Sequence, residues 1–444
     1  MVRSRALHLY PIVRVVAPVD PVHGPSRGRP ARLFEVLMTV STAPTPSAQR
    51  VTSPRVAVAR VAAPSADWIV PLTLLASTCI VVGLIWDISW HRSVGRDTFW
   101  TYPHVLEQLA AIISGVGCGW LVLWTTFSQS PEARSARDTG VGFWGFRGPL
   151  GAWVCIWGTM MMIISAPFDN WWHDAYGLDV KIVSPPHSIL AAGMIAIELG
   201  AMLMALAAQN RATEATKARL NAMFLYGAGV IVAMQTTVIM EYASLPNAMH
   251  SPLCHQLTSL LLPVLFVAFS LASKERWAAT WIAVVYMGIV LILMWTLQLF
   301  PATPRLAPIY NPITHMVPPP FPLLLVVPAF ALDLLRPRIA HRSTWMQAVV
   351  LGVAFFALML LVQWYFAEFM LSPAARNWFF AAGQWDYNAR PGPWQHEFFR
   401  MPRDPNGHVL MWPMIGGFTL AAGFAVLSSR AGIGVGRLLA MVKR

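Results

Sequence analysis

The chain has 444 residues, of which 56% are hydrophobic and only 12% are charged. Because soluble proteins carry about 25% charged residues, this composition excludes an ordinary soluble fold. Stretches of about 20 apolar residues recur along the chain, which is the length that crosses about 30 Å of hydrocarbon. We therefore expect an all-α, polytopic integral membrane protein in contact with the lipid bilayer.

The formal charge of +12 does not indicate nucleic-acid binding, because of where the basic residues lie. Nine of the 32 basic residues fall in the first 60 positions, and most of the others fall in alternate loops. Such a distribution is typical of membrane topology. The four cysteines show no CxxC spacing, and we interpret them as small buried hydrophobic residues.

Residues 1–66 are predicted to form a disordered, basic N-terminal tail, since they are rich in Pro, Ala, Ser, Val and Arg and contain no long apolar run. The same composition fits a transit peptide, and a true start at Met38 would explain it equally well. Residues 67–444 are predicted to form a transmembrane helical domain.

About ten transmembrane helices are predicted in this domain, as hairpins at about 68–126, 147–208, 220–273 and 278–335 and a final hairpin at 345–429 with a long outer loop. The spans are expected at about 68–88, 104–126, 147–167, 187–208, 220–243, 253–273, 278–300, 319–335, 345–370 and 408–429. Loops after the even-numbered spans are basic, so the positive-inside rule places them and both termini on the cytoplasmic side of a bacterial inner membrane. Nine of the 12 histidines lie in or beside the opposite loops, which would face the periplasm.

Two of these outer loops carry the same sequence box. The first box runs from Trp86 to His104, and the second runs from Phe168 to His187. Both read aromatic-Asp-x-x-Trp-His-x3-Gly-x-Asp and then close with Pro-His, after spacers that differ by one residue. This agreement indicates the internal duplication of a helical hairpin.

The boxes have the residue types of a metal site. Asp87 and His91 are four residues apart, as are Asp169 and His173, so a helix that continues through the box places each pair on one face. The proline that precedes the last histidine of each box fits the first turn of the next helix. Ionisable residues at membrane depth are costly and are kept where they pair or function. Nitrogen and oxygen ligands of this kind suit Cu(II), Zn, Fe or Mn.

We predict a metal site at the periplasmic face with the ligands Asp87, His91, His104, Asp169, His173 and His187, followed by His250 and His255 of a degenerate third copy. Asp97, Asp179 and Glu241 are predicted to orient the ligating imidazoles rather than to bind the metal. Copper is the expected metal because Met249 adds a soft ligand beside His250, and iron or zinc is the alternative.

A purely structural role is the competing interpretation of the boxes. The aspartates would then cap helix termini, and the histidines would bridge loops by hydrogen bonds. Glu107 and Glu198, inside the second and fourth spans, would either continue a polar path inward like a proton relay or form buried hydrogen bonds between helices.

The expected function is a copper- or non-haem-iron-dependent oxidoreductase that acts on a small apolar or quinone-like substrate from the lipid. The alternatives are a membrane transporter or metal-handling and assembly factor, or a structural subunit that contacts other membrane subunits through residues 371–407. The sequence contains no GxSxG, GxxxxGK[ST], HExxH or CxxCH motif, which argues against the corresponding hydrolase, phosphate-binding and haem-binding classes.

Overall fold

A computed structural model of the chain describes residues 68–95, 98–177, 184–242, 249–305, 312–382 and 401–442. The predicted tail of residues 1–66 therefore lies outside the described residues. The described part is an all-α bundle with one small β-hairpin. The prediction of an all-α polytopic bundle is confirmed.

The elements follow one another in a simple order. They are α1 (Ile69–Ser93), α2 (Tyr102–Phe127), α3 (Pro131–Thr139), β1 (Val141–Phe143), β2 (Phe146–Gly148), α4 (Leu150–Tyr176), α5 (Pro185–Arg211), α6 (Glu214–Tyr242), α7 (Pro252–Ala272), α8 (Ala278–Leu297), α9 (Val326–Arg338), α10 (Thr344–Leu371), a 3-10 turn (Pro373–Ala375) and α11 (Met411–Ala440). Strands β1 and β2 pair antiparallel, with Val141 opposite Gly148.

Nine of the helices in the described part of the chain are long and apolar enough to cross a bilayer, namely all except α3 and α9. The shortest of them, α8, has 20 residues, which corresponds to about 30 Å. The count of about ten long helices is therefore corrected to nine for the residues that the structure describes.

The eighth predicted span, residues 319–335, is not one continuous helix. Helix α9 has only 13 residues and begins at Val326, and the chain before it is extended. The cause is the run of prolines at 318, 319, 320 and 322, because proline lacks the N–H that a helix needs and disfavours helical backbone in the residue before it.

Side chains of neighbouring helices satisfy the backbone of this extended segment. The Val317 N–H donates to Ser93 Oγ at 2.7 Å, and Ser89 Oγ donates to the Val317 carbonyl at 2.5 Å. Further along, two leucine N–H groups donate to the Tyr286 hydroxyl and to Gln363 Oε1, at 2.8 and 3.2 Å. Non-helical backbone is tolerated at membrane depth only where protein groups bond it in this way.

Helices α1 and α4 continue beyond their predicted ends and carry the aspartate and first histidine of each box as helical residues.

Both boxes lie at the same end of the bundle. Strand β2 at the start of α4 lies near the second half of α2, where Arg147 N–H donates to Thr126 Oγ1. Thr159, farther along α4, donates to the carbonyl of Ala111 near the start of α2. Helices α2 and α4 are therefore antiparallel.

Glycines bring α4 and α5 into close contact. A Cβ atom on Gly200 would lie 2.5 Å from the Gly151 carbonyl oxygen, and one on Gly158 would lie 2.7 Å from the Gly193 carbonyl oxygen. Small residues of this kind let membrane helices approach along their backbones. The contact holds the second predicted hairpin together and places the end of α4 beside the start of α5.

Candidate functional site

The first box closes into a group that we call cluster 1, consisting of Asp87, His91 and His104. His91 Nε2 lies 3.6 Å from Asp87 Oδ2, and His104 Nε2 lies 3.1 Å from Asp87 Oδ1. His91 comes from the same helix as the aspartate, one turn later, whereas His104 comes from the first turn of α2. One carboxylate therefore faces two imidazoles from two helices.

The second box forms cluster 2, consisting of Asp169, His173 and His187. His173 Nε2 lies 3.4 Å from Asp169 Oδ2, and His187 Nε2 lies 3.6 Å from Asp169 Oδ1. Ser184 caps α5, since its hydroxyl accepts the His187 N–H at 3.3 Å. This cap fixes where α5 begins and therefore the position of His187 in its first turn. The arrangement repeats that of cluster 1, oxygen for oxygen. The structure thus brings six of the predicted ligand residues together as two groups of three.

In each cluster a backbone carbonyl determines the tautomer of one imidazole. His104 Nδ1 lies 3.0 Å from the Thr98 carbonyl oxygen, and His173 Nδ1 lies 3.2 Å from the Gly177 carbonyl oxygen. A carbonyl only accepts hydrogen bonds, so Nδ1 carries the hydrogen and Nε2 of the neutral ring presents a lone pair to the aspartate. A cation placed between this lone pair and the carboxylate would contact both groups.

The aspartates have an acceptor that is not satisfied. Oδ1 of Asp87 and Oδ1 of Asp169 are buried and accept no hydrogen bond from the described residues. His104 Nε2 lies 3.1 Å from Asp87 Oδ1 without hydrogen-bond geometry, and His187 Nε2 lies 3.6 Å from Asp169 Oδ1, beyond hydrogen-bond distance. Each cluster therefore has a buried carboxylate oxygen that is suited to bind a cation.

As the side chains stand, no group of three or more His, Cys, Asp or Glu residues in the described ranges is arranged to hold a metal ion. In both clusters the two imidazoles point at different oxygens of one carboxylate rather than at a common point. Metal binding would require the rings to turn toward each other, and the side chain of His91, which is 48% exposed, has room to do so.

His250 and His255 lie together but in neither cluster. His250 Nε2 lies 3.2 Å from the Trp364 carbonyl oxygen and 3.9 Å from Glu368 Oε1, both on α10. His255 Nε2 lies 2.9 Å from the Met249 carbonyl oxygen. Burial lowers the pKa of His250, and the Glu368 carboxylate and the Trp364 carbonyl oppose this shift. The sequence around Trp364 and Glu368 does not indicate these contacts, because both residues lie more than a hundred positions after His250.

The soft ligand that favoured copper has a protein partner. Gln363 Nε2 lies 2.8 Å from the sulfur of Met249, and the same side chain bonds the extended segment through its Oε1. Met249 is buried beside His250 and His255.

The three predicted orienting residues lie wholly or partly outside the described residues. Asp97 and Asp179 lie outside the described residues, and Glu241 lies in α6 but its side chain is outside the description. The carbonyls of Thr98 and Gly177 orient the imidazoles in the described structure, and sequence reasoning missed both. Gly177 has φ of +86°, which glycine adopts readily, so the glycine shared by the two boxes was the available signal.

The two glutamates predicted to lie inside the spans are both buried. Glu107 is 3% exposed and interacts electrostatically with Asp87 and His104. Glu198 is 1% exposed, and neither of its carboxylate oxygens accepts a hydrogen bond from the described residues.

The chain matches no protein-family model, no curated protein and no solved structure. Its function is therefore inferred from the two clusters and their surroundings.

Proposed function

We propose that the protein is an integral membrane metalloprotein that binds a transition-metal ion at cluster 1 and at cluster 2. One observation carries this proposal: in both clusters an imidazole whose Nδ1 donates to a carbonyl turns its Nε2 toward a carboxylate. Metal-binding histidines commonly have this arrangement, in which an outer hydrogen bond directs the other nitrogen at the metal.

The ligand set favours iron or copper. Two imidazoles and one carboxylate with open positions are the ligands of non-haem Fe(II) oxygenases, and imidazole also suits copper and zinc. Bound iron or copper would supply redox chemistry with dioxygen, which makes an oxidoreductase the preferred activity. Metal handling without turnover is the alternative.

Aromatic side chains would give each cluster an apolar wall. Trp86 stacks on Tyr102 beside cluster 1, with ring centroids 6.2 Å apart. Trp172 and Tyr176 lie 4.4 Å apart beside cluster 2, and Phe168 takes the place of Trp86. Such walls would exclude water and admit a small apolar or quinone-like substrate.

We infer that the cluster end of the bundle faces the periplasm of a bacterial inner membrane. The opposite end carries the basic connections, such as Arg134, Arg137 and Arg147 between α2 and α4. The positive-inside rule assigns such connections to the cytoplasm.

Metal content tests the proposal directly. We expect elemental mass spectrometry of the detergent-purified protein to find iron or copper at about one ion per cluster, and to find it lost from the His91→Ala/His173→Ala variant. His408→Ala is the matched control, because His408 also follows an aspartate by four residues and lies 3.2 Å from it, but in an exposed turn. Equal metal content in the wild type and the double variant would contradict the proposal.

Oxygen consumption by the metal-loaded protein separates the two activities. If the wild type consumes oxygen with a quinol or apolar substrate and the double variant does not, the protein is an oxidoreductase. If the loaded protein releases its metal to a chelator across a proteoliposome membrane and consumes no oxygen, it is a metal handler.

A further inference from the structure

The two clusters differ three residues after their last histidine. In the register of the duplication, Glu107 follows His104 by three residues, and Leu190 follows His187 by three residues. Residues three apart on a helix lie on the same face, so Glu107 lies on the His104 face of α2. Leu190 packs against the hydrophobic core. Cluster 1 thus has a second carboxylate where cluster 2 has a hydrocarbon side chain.

Gly83 makes room for this second carboxylate. It precedes Asp87 by one helical turn, and a Cβ atom on Gly83 would lie 2.5 Å from Glu107 Cγ and 3.2 Å from Glu107 Oε1. The glutamate side chain therefore runs against bare backbone of α1, one turn away from Asp87. The equivalent residue of α4 is Ser165, which has a side chain in that place. Both sides of the contact are therefore specific to cluster 1.

The second carboxylate changes the charge that cluster 1 can balance. Glu107 is buried and interacts electrostatically with Asp87 and His104. Two carboxylates in proximity repel each other when both are ionised, and a divalent cation relieves this repulsion. Glu107 can therefore supply cluster 1 with an additional oxygen donor for such an ion, whereas Leu190 supplies none to cluster 2.

We infer that cluster 1 is the tighter of two divalent-cation sites and that Glu107 determines the difference in affinity. The inference rests on the proposed function, since it assumes that both clusters bind metal. It assigns the duplicated boxes unequal roles, with one site that retains its ion and one that exchanges it.

Titration with Co²⁺ alone tests the inference on the full chain in detergent. His173→Ala leaves cluster 1 intact, and His91→Ala leaves cluster 2 intact, so each affinity can be measured separately by equilibrium dialysis and by visible absorption. We expect cluster 1 to bind more tightly, and Glu107→Gln to weaken it by about 10–100-fold, the usual cost of removing a supporting group. Glu107→Gln should leave cluster 2 unchanged.

Glu198→Gln is the matched control, because it makes the same change at another buried glutamate and should alter neither affinity. Equal affinities of the two clusters, or a cluster 1 that is unaffected by Glu107→Gln, would overturn the inference while leaving the proposed function intact. Absence of Co²⁺ binding at both clusters would overturn the proposed function and the inference with it.

A second variant tests the same idea in the opposite direction. Ser165→Gly together with Leu190→Glu builds the missing carboxylate into cluster 2 in the His91→Ala background. We expect its Co²⁺ affinity to rise toward that of cluster 1. A well-folded variant whose affinity does not rise would count against Glu107 as the determinant.

Discussion

A carboxylate that faces two imidazoles is the residue-scale unit of both clusters, and the spacing Asp-x3-His does not by itself produce it. Asp404 and His408 have that spacing too, yet they form an exposed turn in which the His408 N–H donates to Asp404 Oδ1 at 2.8 Å. This hydrogen bond lowers the pKa of Asp404. What distinguishes Asp87 and Asp169 is the second imidazole, which the next helix supplies.

His250 gives a pH dependence that can be tested at the same scale. Because burial lowers its pKa below the ordinary value of about 6.5, the folded state favours the neutral ring. The unfolded chain takes up a proton first as the pH falls, so the stability that depends on neutral His250 is present above about pH 6.5 and is lost as the pH falls through the lowered pKa.

We expect thermal unfolding in detergent to show a larger drop in midpoint for the wild type than for His250→Gln between about pH 7.5 and about pH 5.5. His408→Gln serves as the control, because His408 is exposed. Parallel pH profiles for the wild type and His250→Gln would show that this histidine is not held neutral.

At the scale of elements, the contact between α4 and α5 determines whether cluster 2 can form, because Asp169 and His187 lie on different helices. The Cβ of an alanine at Gly200 would meet the backbone oxygen of Gly151 at 2.5 Å, and backbone cannot move aside as a flexible side chain can. The helices would have to separate.

We therefore expect Gly200→Ala to lower the free energy of unfolding by about 1–3 kcal/mol, the usual cost of overpacking. Gly423→Ala in α11 is the matched control, since its Cβ would meet nothing within 4 Å. The measurement is the chemical denaturation midpoint in detergent. Alanine is favoured over glycine at an open helical position, so Gly423→Ala should not destabilise the protein, and equal destabilisation by both variants would contradict the helix contact as the cause.

The eighth predicted span shows that apolar composition alone does not determine a continuous helix. Its apolar composition predicts a span, and its prolines make the first part extended. The serines of α1 that bond Val317 are one turn apart and follow Asp87 on the same helix. The extended segment therefore packs against the same part of α1 that carries cluster 1.

For the molecule as a whole, the orientation in the membrane decides which compartment reaches the clusters. Trp144, at the tip of the β-hairpin between α2 and α4, and Asn406, in the turn before α11, are both exposed and lie in connections predicted to face opposite sides. Three of the four native cysteines are buried, so a new cysteine at either place can be labelled selectively.

We expect a membrane-impermeant maleimide to label Asn406→Cys in intact spheroplasts and to label Trp144→Cys only after permeabilisation, because basic connections stay in the cytoplasm. The wild type gives the background from the native cysteines. The reverse pattern would place the clusters on the cytoplasmic side.

What the sequence by itself determined is the class of protein, the long helices and the two boxes. These depend on composition, on runs of apolar residues and on a repeat within a single hairpin, all of which are local properties of the chain. The spacing of Asp87 and His91 is one such property, because one helical turn brings the two together wherever the helix lies.

Only the tertiary structure decided which groups surround these residues. The fit of Glu107 against Gly83 and the pairing of His250 with Trp364 depend on how separate segments pack. The extended segment before α9 also depends on such packing, because side chains from α1, α8 and α10 form hydrogen bonds with its backbone. Contacts between distant segments leave no periodic pattern in either segment, because each side chain is chosen by a partner that is close only after folding.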